Sequence, residues 1–517
     1  MTFKRILDSV HGNIYIEKYF FQYFIDTPEF QRLRRIEQSS IRSIFPSARH
    51  DRFIHSIGVF HIGSLIVKQL KQDAIKYKYY GLTELQYDKI VTSYRIACLL
   101  HDLGHAPFSH LFEGYYKQVK SDSENPELSN LQQKLLAIIS LPKEDINNTN
   151  TRTKPHEYAS AILIVDKFRK KIEELDGDVE LVVRMIIGAQ YTADTDTEYV
   201  QIKNCFIQLL NGAVIDADRL DYACRDVWAS GYATSTIDME RMVAGMHIAP
   251  KEDNGICKYV VCYTSNVLNE IESVIDIKEF QHKYVFHHHT VVYENYLLKN
   301  AAETMALHYT TIPKEECNNS GKKALESIIS LDALLSNVSI KLSPNDSDSK
   351  EKDTLLLPHL TDDDLVYLMK STPENTYYSE WSSRQYSKFP LWKTPDEFFL
   401  KFKLERNVSL TTCDFENKIK DALRDYGEIL ILEEEYKARE DIKNINIFIG
   451  NKVVSLLELN PELNKRGKDW SFYYVYIPKP LVKSVPIEEG INRLRDEIYE
   501  HLLPVIKSII ETNKIEQ

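Results

Sequence analysis

The tightest constraint on how this chain folds is a pair of adjacent side chains, His101-Asp102, in the run Ala97-Cys-Leu-Leu-His-Asp-Leu-Gly-His105. An imidazole and a carboxylate side by side suit a borderline-hard divalent cation. The small or apolar residues Ala97 to Leu100 lead into the pair, which places it at the end of a buried helix. Neighbouring helical residues point about 100° apart, so one helix supplies only one side of an ion's shell. Remote segments must therefore converge here. His55 lies 46 positions earlier (101 − 55), in Asp-Arg-Phe-Ile-His-Ser-Ile-Gly, and Asp218 lies 116 positions later (218 − 102), in Ala-Val-Ile-Asp-Ala-Asp-Arg-Leu-Asp-Tyr. With the pair they make a mixed nitrogen and oxygen site that leaves positions for water and substrate. Asp216 competes with Asp218 only if its helix starts late.

The surroundings add to this reading. His105 follows His101 at i+4, on the same helix face, before Gly104 and Pro107 end the helix, and His110 follows closely. So many imidazoles beside a carboxylate are expensive to bury without a polar task. Arg52 precedes His55 by three positions, and a helical start puts its planar, permanently charged fork beside the metal, where it fits a polyphosphate. Asp218, Tyr222, Arg225 and Asp226 fall at i, i+4, i+7 and i+8, one helix face.

A chain of 517 residues, 43% hydrophobic, can bury a full core and divides into two regions. Its net charge of −12 excludes a global basic field for nucleic acid, so cationic groups for any anionic ligand must be concentrated locally. The seven cysteines are scattered without a Cys-x-x-Cys spacing, which fits a reducing, cytoplasmic setting. The N-terminus, Met-Thr-Phe-Lys-Arg-Ile-Leu-Asp, is not patterned as a signal peptide, and no apolar run is expected to reach a membrane span.

Apolar spacing predicts helices over 56–70, 94–103, 159–172, 206–222 and 267–280. Residues 121–155 are polar and read as an excursion before His156. Strand-like runs follow at 428–433, 446–450 and 470–478, and an amphipathic helix over about 487–510 closes the chain. The expected fold is mainly α: a helical catalytic core over 1–310, then a smaller α+β region over 311–517 with a mobile loop near 343–353.

Six ordered stretches carry a family resemblance: 8–12 (Asp-Ser-Val-His-Gly), 25–34, 45–58, 101–110, 156–160 and 215–226. Together they resemble the HD-domain metal-dependent phosphohydrolases, and within them the deoxynucleoside triphosphate (dNTP) triphosphohydrolases. The resemblance runs from about Lys4 to about Ala302. It implies a helical HD core with His55, His101, Asp102 and Asp218 as metal ligands, and it selects Asp218 over Asp216. The ion implied by the donor set is iron, manganese or magnesium, since no thiolate is present. It implies that His105, His110 and His156 protonate the leaving group and orient the attacking water, a task suited to imidazole. It further places Arg52, Arg219 and Lys283 at the phosphates, Tyr222 against the deoxyribose, Gln38 and Asp226 at its 3′-hydroxyl, and His287 in the pocket. Lys283 stands where vertebrate members have arginine, and Val291 where they have tyrosine, which leaves base and sugar selectivity open. Lys4, Asp26, Gln31 and Arg34 match residues that hold an activating nucleotide between subunits in the vertebrate enzyme. The alternative for that face is a solvated helix beginning at Thr27-Pro28.

The implied activity is hydrolysis of a dNTP to deoxynucleoside and triphosphate, nucleotide-regulated, in a homo-oligomer of four or more subunits, with no membrane or nucleic-acid partner. The alternatives are another HD phosphoesterase acting on nucleoside monophosphates or cyclic nucleotides, and a nucleotide-sensing protein with vestigial catalysis.

Overall fold

The computed structural model describes residues 2–117, 129–147, 153–212, 215–232, 237–253, 255–310, 320–341, 354–403, 412–436, 442, 444–450, 452–461, 470–479 and 487–515. The expected loop at 343–353 lies outside them. Two compact units divide the chain: Met1–Glu279 with Lys299–Asn375 and Asp441–Leu459, and Phe280–Leu298 with Thr376–Glu440 and Asn460–Gln517. This differs from the single cut expected after 310. The chain re-enters the first unit because a late hairpin completes a sheet begun two hundred residues earlier.

The first unit is mainly helical but opens on an antiparallel hairpin, β1 (Phe3–Asp8) and β2 (Gly12–Glu17), which the helical reading of this region missed. Gly12, at φ +69°, turns the corner. Helix α1 (Arg52–Lys76) starts where the Asp51 carboxylate accepts the Ile54 N–H at 2.9 Å. By length and composition α1 could cross a membrane, contrary to the sequence expectation, but 61% of its most apolar window is buried inside the protein. It packs on α2 (Glu84–Leu100), whose start is held by a Thr83–Gln86 capping box. Gly63 leaves room for α2: an added Cβ would lie 2.6 Å from Cys98 Sγ.

Within the expected excursion at 121–155 are short helices at Asn130–Ile138 and Lys143–Asn147. Pro155 then opens α3 (Pro155–Glu174), which packs on α4 (Val179–Ile187). The single helix expected over 206–222 is two helices, α5 (Glu198–Leu210) and α6 (Ala217–Ser230). Asn211-Gly212 ends the first, and Asp216 starts the second by accepting the Arg219 N–H at 2.7 Å and the Gly212 N–H at 3.0 Å. A mixed sheet completes this unit: β3 (Met246–Asp253), β4 (Ile256–Thr264), β5 (Asn446–Ile449) and β6 (Lys452–Ser455), in the order β6-β5-β4-β3. β4 and β5 run parallel, Tyr263 opposite Ile447.

The second unit is the α+β part. Its antiparallel sheet places Trp470–Pro478 between Lys388–Pro390 and Leu430–Tyr436, and the helix Ile487–Ile515 belongs to the same unit. Aromatic side chains fill its core, among them Trp392, Phe398, Phe472 and Tyr474. The Trp392 Nε1–H donates to the Tyr473 carbonyl at 2.7 Å, so the largest ring is buried without an orphaned donor.

Candidate metal centre

Three elements bring the four expected ligands together. His55 is on the first turn of α1, His101 stands at the C-terminal boundary of α2 with Asp102 just beyond, and Asp218 is in the first turn of α6. His55 Nε2 lies 3.0 Å from Asp218 Oδ1 and 3.5 Å from Asp102 Oδ2. His101 Nε2 lies 3.3 Å from Asp102 Oδ1 and 3.6 Å from Asp218 Oδ1. Asp216 is the helix cap instead, which leaves Asp218 to face the histidines. Asp102 and both imidazoles are buried, whereas the Asp218 side chain keeps 37% exposure and marks the open side.

The donor set fits a divalent cation. Among the described residues, His55 Nε2 and His101 Nε2 are buried without a well-formed hydrogen bond, although both point at carboxylates. Such orphaned ring nitrogens are costly unless something engages them. The electrostatics agree. Burial depresses the His55 imidazole, yet the carboxylates of Asp218, Asp221 and Asp102 outweigh it and lift it to about 10. Burial likewise works against Asp102, but His101 and Arg52 hold it well below the usual carboxylate range. The pocket is poised to bind positive charge.

A second imidazole group adjoins the first. The His105 and His156 rings stack with centroids 3.8 Å apart, and His110 meets both edge-on. Glu113, which the sequence reading did not single out, joins them: its Oε2 is 2.9 Å from His156 Nδ1, and its Oε1 pairs with His110 Nδ1. Burial opposes its ionisation, but His110 and His156 keep it well below the usual range. The i+3 spacing from His110 was the available signal. His105 does not share a helix face with His101, because α2 stops at Leu100 and the chain turns through 101–104. Its Nε2 instead lies 3.1 Å from Asp102 Oδ1, joining the two groups. Burial, with Arg52 and His156 nearby, keeps His105 neutral, its pKa far below the ordinary value.

The other expected site residues are placed as follows. Arg52 is buried and donates to Asp102 Oδ2 at 2.8 Å, Ser109 Oγ at 3.0 Å and the Gln38 carbonyl at 3.1 Å, so it clamps a ligand carboxylate as well as adding charge. Gln38 Oε1 is buried and unpartnered among the described residues. Arg219 donates to Asp216 at 2.7 Å and to the Gly212 carbonyl. Asp226 is engaged by His50 Nε2 at 2.6 Å, a partner the sequence reading missed. Tyr222 lies half-buried, 6.0 Å beneath the Lys278 ammonium. Lys283 and His287 belong to the second unit and pair there with Asp396, at 2.9 Å, and Glu434. Lys4 pairs with Asp26 at 3.2 Å and Arg34 with Gln31 at 2.9 Å, all at or near the surface.

Known proteins resemble this chain over part of its length. Residues 52–187 match the HD domain family. A deoxynucleoside triphosphate triphosphohydrolase SAMHD1 homolog of Dictyostelium discoideum is 28% identical over 287 residues, 55% of this chain and 46% of that protein. Human deoxynucleoside triphosphate triphosphohydrolase SAMHD1 is 41% identical over 117 residues, 22% of this chain and 17% of that protein. The matched segments thus span half or less of these relatives. A phosphohydrolase from Bacteroides thetaiotaomicron, 19% identical, superposes with a TM-score of 0.58 over 93% of this chain and all of that one, which shows the fold. The segment 52–187 matches an HD domain, and the chain has the mainly α fold of that phosphohydrolase structure.

Proposed function

Taking the HD domain as the premise, we propose that this chain hydrolyses dNTPs to deoxynucleoside and triphosphate. The observation that carries the reading is the join at Asp102. A buried His/Asp set with one open side shares that carboxylate with a neutral imidazole of a second, proton-handling group. His55, His101, Asp102 and Asp218 would hold a divalent cation, which when bound would polarise a phosphoryl oxygen and lower the pKa of a water.

The chain's own groups supply the remainder. Arg52 fixes Asp102 and places positive charge beside the phosphates, and Arg219 at the start of α6 adds a second cation. Glu113 meets the Nδ1 atoms of His110 and His156, so that either ring, once protonated, would offer its Nε2–H to the departing 5′-oxygen. Tyr222, packed where a 2′-hydroxyl would sit, would favour deoxyribose, and Gln38 and Asp226 would hold the 3′-hydroxyl. The similarity to proteins named as dNTP triphosphohydrolases supports this substrate class.

Chromatography of the products from each dNTP tests the proposal. Intact triphosphate with deoxynucleoside is expected, and stepwise release of orthophosphate would refute it. Nucleoside monophosphates or cyclic nucleotides cleaved in preference would favour the other HD phosphoesterase reading. The proposal extends to regulation: a homo-oligomer, cytoplasmic, activated by a nucleotide bound at Lys4, Asp26, Gln31 and Arg34. Asp26→Ala should abolish activation by a second nucleotide while leaving metal content intact. Equal activation of the two proteins would reduce that face to an ordinary solvated surface.

A further inference from the structure

His55 offers Nε2 to the cation site, so its other nitrogen decides whether that lone pair is available. Nδ1 lies 2.7 Å from Asp221 Oδ2, in a region where both side chains are fully buried. An ionised carboxylate is only an acceptor, so in the neutral ring that ligates a cation this contact keeps the proton on Nδ1 and leaves the Nε2 lone pair facing His101, Asp102 and Asp218.

Asp221 is itself held from three directions. Arg225, one turn on in α6, donates to it twice, Nε to Oδ2 at 2.8 Å and Nη2 to Oδ1 at 2.9 Å. His11 Nε2 meets Oδ1 at 2.6 Å. The third support is indirect: Arg225 Nη1 donates to Asp8 Oδ2 at 2.9 Å, and Asp8 Oδ1 accepts the N–H groups of Val10 and His11 at 2.8 and 2.7 Å. The turn between β1 and β2 is thereby tied to α6. On the facing helix, Gly58 sits one turn after His55, and a Cβ there would fall 1.9 Å from Asp221 Oδ1 and 2.5 Å from Arg225 Nη2. Only glycine lets the carboxylate reach His55. Four ionisable side chains, Asp221, Arg225, His11 and Asp8, are thus linked into one network that ends on the His55 imidazole.

We infer that Asp221, held by Arg225 and by the N-terminal turn residues Asp8 and His11, is the positioning residue that fixes the tautomer and orientation of the metal-ligating His55. The N-terminal turn, outside the matched HD segment, is then part of the metal centre. The inference rests on the metal-dependent reading above, but not on the substrate. Partners of this kind typically change metal affinity about 10- to 100-fold. Asparagine at 221 can present an N–H to Nδ1, which would move the ring proton to Nε2 and block the ligand atom.

The test is Mn2+ titration of the chelator-stripped full chain, with bound ion followed by electron paramagnetic resonance and the metal-free melting temperature measured alongside. Asp221→Asn and His11→Leu should weaken Mn2+ binding about 10- to 100-fold with little change in the metal-free melt. His11→Gln, which keeps a donor toward Asp221, should stay close to wild type. Unchanged Mn2+ affinity in folded His11→Leu and Asp221→Asn would overturn the assignment. So would a parallel fall of affinity and metal-free melting temperature in all three variants, Gln included, because that is the signature of packing alone. If Asp221→Asn does not fold, the two His11 variants decide. A wild-type chain that binds no Mn2+ overturns both this inference and the metal reading. A chain that shows the expected affinity changes but hydrolyses no dNTP refutes only the substrate.

Discussion

Asp362 lies far along the chain from the HD segment, yet it fastens the loop that follows His101-Asp102. Its side chain is buried; Oδ1 accepts the Phe108 N–H at 2.6 Å and Oδ2 accepts the Glu37 N–H at 2.8 Å. Phe108 is in the left-handed region at φ +56°, a conformation that persists only when its surroundings hold it. Arg32 adds to the same fastening, donating to the Leu360 carbonyl at 2.8 Å and the His105 carbonyl at 2.6 Å. In Asp362→Ala both N–H donors lose their acceptor. Leaving a buried donor unsatisfied costs about 1–3 kcal/mol, so the pair costs about 2–6 kcal/mol. At about 1.4 kcal/mol per factor of ten, even the lower figure opens the loop about thirtyfold more often. Hydrogen–deuterium exchange read by mass spectrometry should show that loss of protection in peptides spanning 33–40 and 104–112, with the β3–β4 hairpin as internal control. Protection within about threefold of wild type in both peptides would show that the carboxylate does not hold this loop, and the argument from its two short bonds would fail.

The same residue sets a pH dependence. Burial pushes the Asp362 carboxyl up to about 7, against the pull of its two N–H donors, so the folded chain keeps a proton that the unfolded chain releases near pH 4. Stability from this group is therefore present in acid and is lost as pH rises from about 4 to about 7, at up to about 1.4 kcal/mol per unit. The stability advantage of wild type over Asp362→Asn should shrink by about 3 kcal/mol between pH 5 and pH 8 in urea unfolding, and a constant difference would contradict it. Gly104→Ala should lower the melting temperature by several degrees, because its Cβ would lie 2.2 Å from Ser160 N and 2.6 Å from the His156 carbonyl, both rigid backbone; an unshifted melt would count against that packing. Asp102→Ala should retain its circular dichroism spectrum but lose its divalent metal, and elemental analysis showing wild-type content would remove Asp102 from the ligand set.

The spacing around 56–70 and 159–172 located α1 and α3, although each is buried on every side in its first half: His55–Phe60 and Tyr158–Val165 are buried without a break, so it was the length of the apolar runs that marked them as helices. The strand at 470–478 was legible for a different reason, its aromatic and β-branched run. What failed was continuity and register. A helix over 206–222 has unbroken apolar spacing, but Asp216 competes for the backbone N–H groups of Gly212 and Arg219 and starts a new helix in its middle. The hairpins at Phe3–Glu17 and Met246–Thr264 escaped because the surrounding region is helical and their strands alternate only partly between buried and exposed faces. The return of 441–459 to the first unit depends on a two-residue parallel contact with β4, and no local pattern announces such a pairing.

In the site, legibility followed clusters of residues. The His-Asp pair is unspecific alone; the histidines that follow it and the ordered stretches around it gave it weight, and the family resemblance chose Asp218 over Asp216. Glu113 and Asp221 carry no such mark, since a lone carboxylate on a helix is ordinary. They become functional only through what tertiary structure sets against them: three imidazoles around Glu113, and His55, His11 and Arg225 around Asp221. Arg52 is a parallel case: the sequence assigns it to phosphate because a guanidinium beside a metal ligand suits polyphosphate. Three of its hydrogen bonds are internal, one to Asp102 itself. An arginine that must keep a buried carboxylate ionised has little freedom to chase a substrate, so its main contribution to any reaction here is to keep Asp102 charged and in place when the ion arrives.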